Sequence, residues 1–238
     1  MTARLKLEYD GGAFSGWAAQ PGFRTVQGTV EEALRTILQR PVRLTVAGRT
    51  DTGVHARGQV ASHEGPPAPV RSLNSLLPHD VRVVASEEAP PGFDARRDAL
   101  GRTYRYRLHL REAASPFEHG RALHVRPPLD RAPLDACAAV VLGTHDFTAF
   151  TPTQTDHVRL ERVVARSEWL EDGEFLDYWI EADAFMRRMV RTLVGTMLDV
   201  AGGRIPIGEF RGLLAGRTRP EAGETAPAHG LYLESVRY

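Results

Sequence analysis

With 238 residues, 42% of them hydrophobic and 25% charged, the chain can bury a full core in one large or two small domains, which sets disordered and fibrous classes aside. A single cysteine, Cys137, rules out an intrachain disulfide and a cysteine-rich zinc site, and the nine histidines lack ligand-like spacing. The formal net charge is zero, no apolar run could cross a membrane, and no signal-peptide core opens the chain, so a cytoplasmic location is expected.

Taken in chain order, Arg4–Tyr9 is a predicted strand followed by a glycine-rich loop. Val26, Val30, Ala33, Leu34, Ile37 and Leu38 share one helical face, and that helix ends near Pro41. Val42–Val46 alternates like a half-buried strand and Gln59–His63 reads as another, which puts Asp51 on a tight connection between them. The run Pro66–Pro69 precedes a short helix ending at Pro78, and Val81–Ser86 is a further strand. Pro90-Pro91-Gly92 marks a boundary, so the expected halves are residues 1–99, carrying the Asp51 loop, and 100–238.

The second half opens with a strand, Arg102–Leu110, which has Tyr104, Tyr106, Leu108 and Leu110 on one face and Arg105, Arg107 and His109 on the other. A helix near Asp130–Leu142, capped by Asp130, is followed by two strands joined through Asp172-Gly173. A helix from Phe185 to about Ala201 carries Met186, Met189, Val190, Leu193, Val194 and Met197 on one side, with Arg187 and Arg191 bordering that stripe. A short helix after Pro206 and a strand, Leu231–Arg237, complete it. The elements alternate without regular βαβ units, so the expected fold class is α+β, with mixed or antiparallel sheets covered by helices.

Charge is laid unevenly along the chain. Phe93–Arg111 holds six arginines against two aspartates, while Glu168–Asp183 holds seven acids and no base, a pattern that predicts one positive and one negative face. Lys6 is the only lysine, and the arginines that make up the other basic residues suit forked phosphate contacts and stacking on bases.

The densest chemistry lies in Ala47–His63, where Asp51 stands among Arg49, Gly53, His55, Arg57, Gly58 and Gln59. One reading is a turn aspartate that bonds the backbone of Thr52 or Gly53. Another is a carboxylate kept ionised by a neighbouring guanidinium, hence a nucleophile or base at neutral pH. A third, from the tripeptide Asp51-Thr52-Gly53, is an aspartic protease. That chemistry needs two carboxylates sharing a proton, and no second Asp-Thr-Gly exists in the chain.

This segment closely resembles the GRTD-x-GVH-x-x-GQV stretch of the TruA family of tRNA pseudouridine synthases. The likeness runs through Tyr9-Asp10-Gly11-Gly12, Gly16-Trp17, Thr25–Glu31, Asn74, Leu77-Pro78, Phe93–Arg96 and Arg102–Tyr106. It continues at Leu142–Thr148, Ala184-Phe185, Met189-Val190-Arg191, Val194-Gly195, Thr225–Ala228 and Gly230–Leu233. Ala18 stands where a glutamine is usual, Asp94 where histidine is frequent, and Val158 where a basic residue is expected.

The resemblance implies two related α/β halves with the active-site cleft between them, a homodimer, and a tRNA substrate modified at uridines 38 to 40 of the anticodon stem-loop. It makes Asp51 the catalytic residue and Arg49 the base-flipping residue that fills the gap left by the extruded uridine. Periodicity alone reads Tyr104 as core, whereas the resemblance has it stack on the target base. It likewise turns Arg191 from a solvated flank into the cation that holds Asp51 ionised. Phe93, Asp94, Ala95, Arg96 and Arg97 and a second stretch, Gln154, Thr155, Asp156, His157 and Val158, fall where the family binds RNA.

In the implied reaction Asp51 initiates cleavage of the bond between uracil N1 and ribose, and the uracil rotates and rejoins through C5. Attack at C1′, addition at C6 and removal of a ribose proton all remain open routes. The isomerisation is redox-neutral, so no cofactor or metal is expected. Water must be kept out, and Leu231 and Leu233 would serve as apolar walls. A non-catalytic RNA-binding module would explain the arginines and tyrosines equally well. It leaves unexplained a carboxylate, which repels phosphate, in a glycine-bounded turn among basic residues.

Overall fold

The computed structural model describes residues 1–155 and 158–238. The first half of the chain forms β1 (Thr2–Tyr9), α1 (Val26–Leu38), β2 (Thr45–Val46), β3 (His55–Glu64), α2 (Val70–Leu76) and β4 (Val81–Ala89). The second forms β5 (Gly101–Leu110), β6 (Leu123–Val125), α3 (Arg131–Val141), β7 (Gly143–Asp146), β8 (Glu161–Asp172), β9 (Phe175–Ala182), α4 (Met189–Ala201), α5 (Ile207–Leu213) and β10 (Leu231–Arg237). These make two compact units, Met1–Arg102 with Tyr232–Tyr238, and Thr103–Leu231. Both are mixed α/β, and among the described residues no helix is long and apolar enough to cross a membrane.

In the first unit the strand order is β4-β1-β3-β10, with β2 also on β3. Pairing is antiparallel except where β10 joins β3 in parallel, at Tyr232 with His55 and Leu233 with Ala56. Alternation explains β1, whose Ala3, Leu5, Leu7 and Tyr9 are all buried. On α1 the apolar face buries Val26, Val30, Ala33 and Leu34, and the Thr25 hydroxyl caps the helix by accepting from the Gly28 N–H at 3.3 Å.

The strand expected over Val42–Val46 shrinks to Thr45–Val46, because the Leu44 N–H turns to Glu31 Oε1 on α1 at 2.8 Å instead of to a neighbouring strand. Strand β3 in turn begins at His55, earlier than the expected Gln59, so Asp51 lies on a connection of residues 47–54.

In the second unit the order is β5-β9-β8-β7, with β6 parallel to β5. The β8–β9 hairpin closes through Asp172-Gly173 as expected, Gly173 taking a left-handed φ of +62°. Asp130 caps α3 by accepting from Ala132 N–H at 3.0 Å. Helix α4 starts at Met189 rather than Phe185, because Arg188 adopts φ +63° and breaks the helical run just before it. The short strands β6 and β7 carry too few residues to show a period, and the sequence analysis misses both.

The expectation of one positive and one negative face is overturned. Strand β9, from the acidic stretch, lies beside β5, from the basic one. Arg105 meets Asp177 at 3.1 Å, Arg107 meets Asp177 and Asp172 at 2.8 Å each, and Arg111 approaches Glu174 at 3.8 Å. Phe175 and Trp179 of β9 lie against the same arginines, with Arg107 4.3 Å from the Phe175 ring centre. Charges that read as two faces are cross-strand partners on one.

Arg105 and Asp177 are each nearly inaccessible, at 4% and 3% exposure. Removing one member of a buried pair strands the other charge. Asp177→Ala is therefore expected to lower stability by about 3–5 kcal/mol, read as a shift in the denaturant midpoint at unchanged slope.

Candidate active site

The backbone on both sides of Asp51 is tied to buried partners. At the base of the connection Ala47 N–H donates to Val60 O at 2.9 Å. The Ala47 carbonyl accepts Nε and Nη2 of Arg102 at 3.2 and 2.8 Å. The Gly48 carbonyl accepts from Gln59 Nε2 at 2.7 Å. Thr50 Oγ1 lies 2.8 Å from the Tyr9 hydroxyl, and Thr50 O accepts from Trp17 N–H at 3.0 Å. Beyond the aspartate, Val54 N–H donates to Asp51 O at 3.1 Å, closing a turn in which Gly53 has φ +80°.

Two glycines let neighbouring backbone come this close. A Cβ on Gly16, itself at φ +85°, would stand 3.0 Å from Thr50 O and 3.3 Å from Asp51 C. One on Gly11 would stand 2.0 Å from Val54 O. Side chains along the connection alternate: Arg49 is exposed, Thr50 buried and Asp51 half-buried. Next along the chain, the buried His55 accepts the Gly11 N–H at Nδ1 (3.1 Å) and stacks on Tyr232 with ring centres 4.7 Å apart.

In the second unit, Tyr104 is 7% exposed and meets Phe185 edge to face, centres 5.0 Å apart and planes at 81°. Arg191, half-buried on α4, donates Nε to Ala226 O at 2.7 Å, and Ala226 N–H donates back to Arg191 O at 3.1 Å. Gly195 makes this approach possible, since a Cβ there would lie 1.8 Å from Glu224 O. Tyr106 donates its hydroxyl to Pro227 O at 2.8 Å, and Gly230 sits against the same ring. Residues 224–230 are thus held between α4 and β5, and they lead into Leu231, 6% exposed, and Leu233, fully buried. Arg187 lies ahead of α4 and is exposed, so of the two arginines expected to border the helix's apolar stripe only Arg191 stands on the helix.

A family model described as tRNA pseudouridine synthase matches residues 137–238. Over the whole chain, tRNA pseudouridine synthase A of Chlorobaculum tepidum is 41% identical, covering 100% of this chain and 98% of that protein. The protein of the same name from Roseiflexus sp. is 44% identical over 98% of this chain and 89% of its own length, and that of Bacillus pumilus 37% over 100% and 99%. The chain belongs to the tRNA pseudouridine synthase A family. As a pseudouridine synthase it is an RNA uridine isomerase.

The two stretches expected to contact RNA differ in construction. In the first, Asp94 Oδ1 accepts the N–H groups of Arg96 and Arg97 at 2.8 and 2.9 Å, and Asp98 Oδ2 accepts that of Asp94 at 2.8 Å. The backbone N–H of Asp94, and after it the Arg97 guanidinium, hold the Asp98 carboxyl below the usual carboxylate range. Ala95 is fully buried, its carbonyl taken by the Tyr238 hydroxyl at 2.7 Å, while the Phe93 ring packs on Tyr238. Arg96 and Arg97 are left exposed at the top of this turn. In the second stretch Gln154, Thr155 and Val158 are exposed, and Asp156 and His157 lie outside the described residues. Among the described residues no group of three or more His, Cys, Asp or Glu side chains could hold a metal ion.

Sequence reasoning missed Arg102, whose guanidinium also donates to Ala99 O at 3.1 Å and Arg96 O at 2.9 Å, joining the base of the Asp51 connection to the Arg96 turn. It also assigned no role to Tyr9, Gly16 or Gln59, although all three stand in the family motifs. Nothing local distinguishes a supporting glutamine from a surface one.

The Gly195 contact is checked by adding one methyl group. Gly195→Ala must push residues 224–226 off α4, and overpacking of this kind costs about 1–3 kcal/mol. Thermal unfolding should move down accordingly, and catalytic turnover should fall further than the loss of folded protein explains.

Proposed function

We propose that this enzyme isomerises uridine to pseudouridine at positions 38 to 40 of the tRNA anticodon stem-loop, with Asp51 as the nucleophile. The observation that carries the reading is the Asp51 connection itself, a half-buried carboxylate on backbone clamped by Gly16, Thr50 and Arg102 beside an exposed Arg49. In this reading Arg49 takes the space left by the flipped nucleotide and Tyr104 stacks on the uracil. Arg191 supplies the charge that keeps the carboxylate ionised. Leu231, backed by the fully buried Leu233, would serve as an apolar wall against water, which would otherwise hydrolyse the opened ribose.

The isomerisation conserves every atom. The N1–C1′ bond opens, the uracil turns, C5 joins C1′, the hydrogen of C5 leaves as a proton to solvent, and N1 takes up a proton in exchange. Exposed Arg96 and Arg97, with the Gln154–Val158 stretch, would contact phosphate and position the stem-loop. A homodimer gripping one tRNA belongs to the same proposal and rests on family resemblance.

Tritium at uridine C5 of tRNA tests this. Wild-type protein should release the label, and Asp51→Asn, nearly the same size but without the negative charge, should bind tRNA while release falls by orders of magnitude. Binding without release by the wild-type protein, or full release by Asp51→Asn, would sink the mechanism.

The two kinds of substrate contact should also separate. Tyr104→Phe should hold tRNA affinity within several-fold while turnover slows. Arg96→Ala should weaken binding and flatten its salt dependence, because one phosphate contact and its released counterion are lost. Equal losses of rate and affinity in Tyr104→Phe would make it a general RNA contact.

A further inference from the structure

Three buried polar side chains behind the Asp51 connection have no part in the chemistry above: Tyr9, Thr50 and Gln59, at 4%, 7% and 0% exposure. They form one connected set. Gln59 Nε2 donates to the Tyr9 hydroxyl at 3.2 Å and to Gly48 O at 2.7 Å, while Gln59 Oε1 accepts the Val60 N–H at 3.1 Å. The Tyr9 hydroxyl lies 2.8 Å from Thr50 Oγ1.

Tyr9 and Gln59 stand on the adjacent antiparallel strands β1 and β3, so the set is anchored in sheet rather than in loop. Burial pushes the Tyr9 hydroxyl up to about 12, so it stays an O–H at any physiological pH. It accepts from the Gln59 amide and shares a hydroxyl–hydroxyl bond with Thr50.

The two ends of the set therefore grip Gly48 and Thr50, the residues on either side of Arg49, and Thr50 is the last residue before Asp51. Thr50 is buried while its neighbours Arg49 and Asp51 are exposed and half-buried, so holding the Thr50 side chain inward turns theirs the other way. We infer that Tyr9, Thr50 and Gln59 are positioning residues that hold Arg49 and Asp51 in their reactive orientation, an inference that rests on reading Asp51 as the nucleophile.

The test measures kcat and KM by tritium release, and tRNA Kd, for wild type, Asp51→Asn, Tyr9→Phe, Thr50→Val and Thr50→Ser, each corrected for its folded fraction. Tyr9→Phe and Thr50→Val should keep KM and Kd within about twofold and lose at least about tenfold in kcat, since small displacements of positioned groups slow reactions strongly. Thr50→Ser, which retains the hydroxyl, should recover most of the turnover. A merely structural role would reduce the folded fraction and leave the corrected kcat alone.

A silent Asp51→Asn beside fully active Tyr9→Phe and Thr50→Val overturns the network and spares the nucleophile. Full turnover in Asp51→Asn overturns both. Should Tyr9→Phe fail to fold, the Val and Ser variants of Thr50 decide: wild-type kcat in Thr50→Val refutes the network, and loss in Val with recovery in Ser upholds it.

Discussion

A carboxylate proposed to act on one atom of a large substrate needs a backbone that does not yield, and under that proposal the demand falls on residues 47–54. The stretch has almost no regular structure of its own, since only Thr45–Val46 before it pairs with β3. Its rigidity comes from elsewhere: hydroxyl and amide groups of β1 and β3, the buried guanidinium of Arg102, and the bare backbones of Gly11 and Gly16. In a low-dielectric interior such a set of bonds is strong only when each member is satisfied, and an orphaned partner costs about 1–3 kcal/mol. Residues far from the substrate can therefore constrain the chemistry as tightly as residues that touch it.

The second unit meets a similar demand with close approach. Residues 224–230 run against α4 at Gly195 and against the Tyr106 ring at Gly230, where any larger side chain would force them away. Reciprocal bonds between Arg191 and Ala226 lock that approach on the main chain, and Arg191 keeps one face of its guanidinium chemistry committed to a carbonyl through Nε. The same arginine thus both builds the segment and is assigned to the reaction, which ties the placement of Leu231 to that of the cation.

Arginine serves two unrelated purposes within a few residues of sequence. Arg102 and Arg105 are buried and bonded to carbonyls or to Asp177, while Arg96 and Arg97 ride on an aspartate-capped turn in solvent. Only exposed cations can exchange counterions with a phosphate backbone, so buried Arg102 and Arg105 cannot serve as Arg96 and Arg97 could. The zero net charge is a sum over the whole chain, and at least one of its acids, Asp177, is spent on buried arginine pairing.

By itself the sequence determined what depends on near neighbours. Alternation marked β1, helical spacing marked the buried face of α1, Asp130 announced the start of α3, and Asp172-Gly173 announced the hairpin of β8 and β9. The order of short motifs was enough to place the chain in its family, and it made Asp51 the candidate nucleophile. Tertiary structure alone decided which polar residues are inside. No local pattern tells that β9 lies beside β5 and so neutralises Arg105 and Arg107, or that Glu31 draws Leu44 out of the sheet. Nor could it show that Tyr9 and Gln59, 50 residues apart, meet behind the Asp51 connection. Periodicity reports the surroundings of a residue within a turn or two of chain, whereas these partnerships are set by which strands become neighbours.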